Sequence, residues 1–343
     1  MAKNLSLAIV GCGDIARFMA LAGKLNRGIE LCACVDVNAE RVRKFSRWFR
    51  IPRSFTDYGE MLNQAGPDAV YLAVPHSLHY PMIKEALAYG AHVFCEKPIA
   101  TTLDDALDIC RLARKSGLKV GVNYQYRYDT GCYALANASQ EGKLGQILYG
   151  KCNVPWHREV QYFSCSPWHG CLEASGGGTL ITQASHALDI LLWAYGRKPV
   201  AALGAKARQR FKDVEVEDLC MGIIEMEDGG LLEVTGSMVA TPEQRVTIEI
   251  YGSHGTGLYS GPALPWVRFK GLRIKKAKPP VKGLHALFRS LEGFQKWVME
   301  GQPYLTPVEQ SLPVLAVIAS VYRSAVTGKR EEVDQRFIDY LIQ

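Results

Sequence analysis

Between residues 5 and 16 the chain passes from an apolar run, Leu5 to Val10, into Gly11-Cys12-Gly13-Asp14-Ile15-Ala16, and few folds accommodate that junction. It is a G-x-G-x-x-A pattern placed after an expected strand and at the opening of an expected helix. Gly11 makes the tight turn, and Gly13 lets the backbone approach a pyrophosphate. Small Ala16 allows close packing of helix on strand, and the helix amino end, with Asp14 and Ile15 in its first turn, favours the anion. The pattern has its second half. Leu31 to Val35 reads as the next strand and ends at Asp36, twenty residues past Ala16. A carboxylate there can accept both hydroxyls of an adenosine ribose. It would repel a 2′-phosphate, so NAD is expected over NADP. Arg41, on the following helix, keeps NADP possible.

Strands and helices then alternate. Residues 38–50 read as a helix with Pro52 past its end, and Asp57 caps a short helix finishing near Gly66-Pro67. Asp68 to Val74 is the next apolar strand, with Pro75-His76-Ser77-Leu78-His79 at its carboxyl end. Val93-Phe94-Cys95 leads into Glu96-Lys97-Pro98, where the proline ends the strand. Lys119 to Val122 is one more strand, followed closely by Gln125. This rhythm predicts a doubly wound, mostly parallel sheet over residues 1–123. Pro75, His76, His79, Glu96, Lys97 and Gln125 then fall beyond strand ends on the cofactor edge of that sheet. The competing reading of His79 is a loop or helix cap with no ligand.

Residues 124–343 have another texture and are expected to form a second α/β domain. Tyr124-Gln125-Tyr126-Arg127-Tyr128 is aromatic and polar, as a pocket wall can be. Pro155 to Ser175 is a long irregular stretch carrying Trp156, His157, Arg158, Tyr162, Trp168 and His169, a set suited to stacking on a sugar ring or a nicotinamide. After Gly176-Gly177-Gly178 a helix runs from about Thr179 to Tyr195. On it Thr182 and His186 lie four apart, Gln183 precedes His186 by three, and Asp189 follows it by three. The triple glycine suggests close approach of the backbone to something. From Val200 to Ile274, repeated strands with Gly and Asp turns predict a large open, mostly antiparallel sheet. Such a sheet needs helices or another subunit over one face, which predicts a homodimer or homotetramer. Residues 268–289 hold many Lys and Arg and no acid. A solvated loop is the preferred account, and a site for an anionic substrate group is the alternative.

Composition bounds the rest. A chain of 343 residues favours two domains, and a net charge of +6 does not demand nucleic acid as a partner. No apolar run approaches a membrane span. The ten cysteines are scattered and fit buried free thiols in a reducing cytoplasm. Cys165, His169 and Cys171 do not have zinc-site spacing, so no metal is expected.

Taken together, these motifs resemble the family of glucose–fructose oxidoreductase, inositol dehydrogenase and the rhizopine catabolism protein, Gfo/Idh/MocA. The resemblance rests on Gly11 to Ala16, Asp36, Glu96-Lys97-Pro98 and Tyr126-Arg127-Tyr128 in place of an Arg-Phe pair. It rests further on Trp168-His169-Gly170, the triple glycine and His186-Ala187-Leu188-Asp189. It implies a Rossmann domain, a second domain whose sheet often forms the subunit interface, and NAD(P)-dependent oxidation or reduction of a sugar, polyol or similar alcohol. Two departures stand out. Thr182 occupies a position where many members carry aspartate, and His169 one where arginine commonly follows the tryptophan.

The resulting expectation is a dehydrogenase. His186 takes the hydroxyl proton, because its unperturbed pKa suits physiological pH and Thr182 cannot act as a base. Lys97 donates a hydrogen bond to the substrate oxygen, and Asp189 orients the imidazole. Tyr126, Arg127, Tyr162, Thr182 and Gln183 line the substrate pocket, and Trp168 contacts the cofactor. Two alternatives remain: a redox-neutral NAD-dependent glycosidase and a nucleotide-binding regulatory protein with a decayed site.

Overall fold

The computed structural model describes residues 4–283 and 285–341. The chain forms two compact units. The first takes the chain up to Ala100, Asp104–Gln125 and Val281–Gln310. The second takes Thr101–Leu103, Tyr126–Pro280 and the chain from Ser311 on.

The first unit is built on a six-stranded parallel sheet in the order β3-β2-β1-β4-β5-β6. Its strands are β1 (Leu5–Val10), β2 (Ile29–Val35), β3 (Arg53–Phe55), β4 (Ala69–Leu72), β5 (His92–Cys95) and β6 (Val120–Val122). Helices α1 (Asp14–Leu25), α2 (Ala39–Phe49), α3 (Tyr58–Ala65), α4 (His79–Ala88) and α5 (Leu103–Ser116) connect them. All four residues of β4 are sealed from solvent, as expected of a strand covered on both faces. Local chemistry sets the helix ends. The Asn38 side chain accepts from the amides of Glu40 and Arg41, and Asp57 from that of Glu60. The strand order reverses between β1 and β4, the switch point of a doubly wound sheet.

Residues 281–310 fall with this unit, whereas the linear division at residue 123 grouped them with the second. The helix Ala286–Glu300 brings Phe294 onto Phe94 at 5.0 Å, ring to ring. Ser290 donates to the Asn123 side-chain carbonyl at 2.9 Å, and Thr306 to the carbonyl of Val122 at 2.7 Å. A Cβ at Gly121 would lie 2.9 Å from both Phe294 and Tyr304, so the sheet is shaped to receive this segment. An amphipathic helix far along the chain carries no mark of which sheet it will cover.

The second unit holds an eight-stranded sheet in the order β13-β12-β11-β7-β10-β9-β8-β14. These are β7 (Ile147–Pro155), β8 (Pro199–Ala207), β9 (Leu219–Met226), β10 (Leu231–Ser237), β11 (Val246–Gly252), β12 (Thr256–Gly261), β13 (Trp266–Lys270) and β14 (Glu331–Glu332). β7 and β10 pair in parallel, and the other neighbours are antiparallel. Helices α6 (Thr130–Gln140), Ser185–Tyr195 and Leu312–Thr327 pack against it. Along β9, Cys220, Gly222 and Ile224 point inward while Met221 and Ile223 are exposed, and Tyr149, Leu203 and Leu231 are exposed on neighbouring strands. The stretch expected to be irregular contains three single helical turns, Gln161–Ser164, Pro167–Gly170 and Leu172–Ser175. Phe163 anchors it in a small core with Phe211, Val216 and Met238.

The triple glycine has a structural cause. A Cβ at Gly178 would sit 1.8 Å from the Glu217 carbonyl oxygen, and one at Gly177 would sit 2.5 Å from the Tyr322 hydroxyl. The Glu217 carboxylate, 5% exposed, accepts from the amides of Gly178 at 2.8 Å and Leu180 at 3.1 Å and from the Tyr322 hydroxyl at 2.7 Å. It caps the helical segment that follows, satisfying amides that otherwise have no partner. The close approach is therefore to the chain itself. All ten cysteines are free, eight of them buried. Among the described residues no helix is long and apolar enough to cross a membrane.

Gly178→Ala should cost about 3 kcal/mol or more, because the clash is with backbone. Urea unfolding measures it, and a loss under about 1 kcal/mol would contradict this account of the glycine run.

Candidate active site

On the first unit the glycine turn has two different faces. Gly11 has a φ of +84°, and a Cβ there would lie 2.2 Å from the Ala73 carbonyl oxygen, so only glycine fits. At Gly13 nothing lies within 4 Å of an added Cβ, leaving the backbone open on the side where a ligand would approach. Asp14 and Ile15 open α1 there. Asp36 is tied to the same turn: its Oδ2 accepts from the Cys12 amide and its Oδ1 from the Asn38 amide, both at 2.9 Å. The Arg41 guanidinium lies 3.5 Å from Oδ2. An open turn, the free first-turn amides of α1 and a fixed carboxylate fit the pyrophosphate and ribose of a nicotinamide dinucleotide.

Further along this edge, Glu96 faces inward. Its carboxylate accepts from the Tyr71 hydroxyl at 2.5 Å and from the Asn123 amide at 2.7 Å. Burial raises its pKa, while these hydrogen bonds and the Lys97 ammonium lower it. It braces the end of β5 and holds Lys97, the next residue, half-buried at the strand's carboxyl end. Gln125 shares the same Asn123 amide at 3.3 Å. Pro75 leads into a turn in which His76 is buried, its ring 5.7 Å from that of His79.

His79 is a loop clamp. It is fully buried, with Nδ1 2.7 Å from the Pro98 carbonyl oxygen and Nε2 3.0 Å from that of Val74. A neutral ring has one N–H and donates to one of the two carbonyls at a time. Both ring nitrogens thus face backbone carbonyls. Burial lowers the pKa from 6.5 to about 4, the Lys97 charge adds to this, and the two carbonyls oppose it.

On the second unit, the segment that carries the remaining candidates opens with a π-helical turn, Leu180–Ala184, and continues as the α-helix Ser185–Tyr195. The α-helical spacing expected for Thr182 and His186 does not carry across such a turn, which often marks functional sites. The Thr182 hydroxyl donates to the Gly178 carbonyl at 2.7 Å. His186 lies face to face with Tyr126, ring centroids 4.7 Å apart and planes at 14°.

Asp189 was expected to orient His186 and Arg127 to line the substrate pocket. Instead they hold each other. Arg127 Nε donates to Oδ2 at 2.9 Å and Nη2 to Oδ1 at 2.7 Å, both side chains being buried. The guanidinium fork matches a carboxylate, and once buried neither charge can be left unpaired. Trp193 lies beneath the guanidinium at 5.1 Å.

Tyr162 and Gln183 do come together: the Gln183 amide donates to the Tyr162 hydroxyl at 2.7 Å. Burial raises the Tyr162 pKa, and contacts with Thr182, Arg158 and Gln183 oppose it. Arg158 extends the network, donating to the Gln183 carbonyl at 2.9 Å and to Glu243 at 3.2 Å. Sequence reading placed Arg158 in the aromatic loop without this link, because Gln183 and Glu243 are distant along the chain. Trp168 packs at a tilt on His169, ring centroids 3.9 Å apart, and His169 stacks on Tyr162 at 4.2 Å. The basic run follows β13 as a largely exposed segment, and its first part lines a cavity of about 700 Å³ with Trp266, Arg268, Arg273, Lys275 and Lys276. Among the described residues no three His, Cys, Asp or Glu side chains gather to hold a metal ion.

A doubly wound parallel sheet with this glycine turn and ribose carboxylate defines a nicotinamide-dinucleotide-binding oxidoreductase. Residues 5–124 match the sequence model of the oxidoreductase family with an NAD-binding Rossmann fold, and residues 133–257 match that of the GFO/IDH/MocA C-terminal domain. The chain belongs to the Gfo/Idh/MocA family. It is similar to the D-glucoside 3-dehydrogenase of Escherichia coli (strain K12), with 26% identity over 356 residues, 96% of this chain and 97% of the relative. It is also similar to the D-apiose dehydrogenase of Paraburkholderia graminis, with 25% identity over 347 residues, 96% of this chain and 90% of the relative. The crystal structure of the WlbA dehydrogenase from Bordetella pertussis, in complex with NADH and UDP-GlcNAcA, shares the fold. The TM-score is 0.88 at 24% identity, covering 97% of this chain and 99% of that one.

Two measurements check this site. Asp36→Ser should shift kcat/KM from NAD toward NADP at least about tenfold, since it removes a charge that repels a 2′-phosphate and leaves Arg41 to meet it. An unchanged ratio would remove Asp36 as the selector. For His79, the unfolded ring binds a proton below pH 6.5 and the folded ring only near pH 4. Its contribution to stability is therefore complete above pH 6.5 and lost as pH falls toward 4. Between pH 7 and 4.5 the wild type should lose about 2.5 kcal/mol more than His79→Gln in urea unfolding. Equal losses would mean the ring titrates normally.

Proposed function

We propose that the protein interconverts a secondary alcohol of a sugar, polyol or sugar derivative and the corresponding carbonyl compound. The observation that carries this reading is Lys97, held half-buried at the carboxyl end of β5 in a dinucleotide-binding sheet. The relatives named as dehydrogenases of D-glucosides and D-apiose support the substrate class. The nicotinamide, when bound, takes or gives the hydride.

The chain's own residues manage the proton and the oxygen. In the oxidative direction His186 takes the hydroxyl proton as hydride leaves the carbon, so the alcohol loses one hydride and one proton, two electrons and two hydrogen nuclei in all. Lys97 donates a hydrogen bond to the oxygen and stabilises the developing negative charge. Thr182, Gln183 and Tyr162 supply hydroxyl and amide groups for a polyhydroxylated ring. The open sheet face with Tyr149, Leu203, Met221, Ile223 and Leu231 suits burial against a second copy, giving a homodimer or homotetramer. The buried thiols suit the cytoplasm.

The test is NADH formation followed by absorbance over a panel of sugars, polyols, sugar acids and nucleotide sugars. On a responding substrate, Lys97→Ala and His186→Ala should each lower turnover roughly 10²–10⁴-fold and leave NAD affinity nearly unchanged. Near-normal turnover in either variant removes that residue from the chemistry. Release of an aglycone with no net NADH would point to a redox-neutral glycosidase.

A further inference from the structure

We infer that Tyr126 is a positioning residue that acts through His186. The inference rests on the assignment of His186 above. Tyr126 is nearly buried and lies flat against the imidazole, its centroid 4.7 Å away and the planes 14° apart. Flat stacking resists tipping of the imidazole out of its plane, and a base works only when its lone pair points at the proton it takes. The next residue repeats the attachment. Arg127 forks onto Asp189, one turn beyond His186 on the same helix, and so fixes that helix relative to the segment carrying Tyr126.

Within the first unit, the Asn123 amide holds Glu96, the residue preceding Lys97. Asn123 is fully buried and also accepts from Ser290. Tyr126 and Arg127, consecutive residues of the second unit, hold His186 and its helix. The Tyr126 ring, expected from the sequence to line the substrate pocket, lies on the imidazole, and burial pushes its hydroxyl pKa up.

The experiment is a double-mutant cycle between Tyr126 and His186, read two ways. In turnover, Tyr126→Leu should lower kcat about 10–100-fold with NAD affinity unchanged, and Tyr126→Phe, which keeps the ring, should stay within about threefold of wild type. In a His186→Ala background, Tyr126→Leu should cost less than about twofold, because the residue it positions is gone. In thermal unfolding of the cofactor-free proteins, the two single losses should sum to more than the double-mutant loss, showing the rings coupled without any catalysis. Multiplicative losses of turnover, with His186→Ala impaired, overturn the positioning role and leave the His186 assignment standing. A Phe variant as poor as the Leu variant also overturns it and returns the hydroxyl to the substrate. Normal turnover in His186→Ala overturns both.

Discussion

A parallel sheet has a polarity, and the first unit is organised by it. When every strand runs the same way and every return is a helix, all carboxyl ends arrive at one edge. Gly11 and Gly13 follow β1, Asp36 follows β2, Pro75 and His76 follow β4, Lys97 follows β5 and Asn123 follows β6. Chemistry-bearing residues far apart in sequence are thereby aligned before any side chain makes a choice. What the side chains add is stiffness. Asp36 grips the glycine turn, Glu96 grips β4 and the loop after β6, and His79 ties the Val74 loop to the Pro98 loop.

The second unit meets the same need by other means. Its candidate residues ride on one helical segment that begins with a π turn, and three groups fix that segment along its length. Glu217 caps its amino end, Tyr126 packs on His186, and Arg127 forks to Asp189. Two of these rely on a buried carboxylate. Such a group is costly to desolvate and is stable only when its oxygens are filled, so each tolerates little movement of its partners. Precision is obtained by making displacement expensive.

Local signals account for what could be read from the sequence. Gly11 and Gly13 demand a turn wherever they sit, Asp36 has a fixed spacing from them, and Pro98 must end a strand. These features are short-range, and the Rossmann sheet follows from them. The repeated strands with Gly and Asp turns between Val200 and Ile274 likewise gave away an open antiparallel sheet. Partnerships across long sequence separations were not legible. Asp189 and His186 share a helix, so spacing suggested a pair, but Arg127 lies 62 residues from Asp189 and wins by its fork geometry. The triple glycine signalled close contact correctly, yet nothing local identified Glu217 as its cause. His79 sits at the right edge for a ligand, and only the structure reveals that its ring lies between the carbonyls of Val74 and Pro98.

The discontinuity of the first unit bears on how the protein is made. Val281–Gln310 completes a sheet whose strands are all synthesised by residue 122, and Phe94 and Gly121 await Phe294 and Tyr304. At a typical elongation rate, the ribosome needs on the order of ten to forty seconds to reach that segment from the end of β6. Throughout that interval the nascent sheet lacks its cover over Phe94, while strands β7 to β13 of the second sheet emerge behind it. Vectorial synthesis therefore delivers most strands of the larger, β-rich unit before the dinucleotide-binding unit can close.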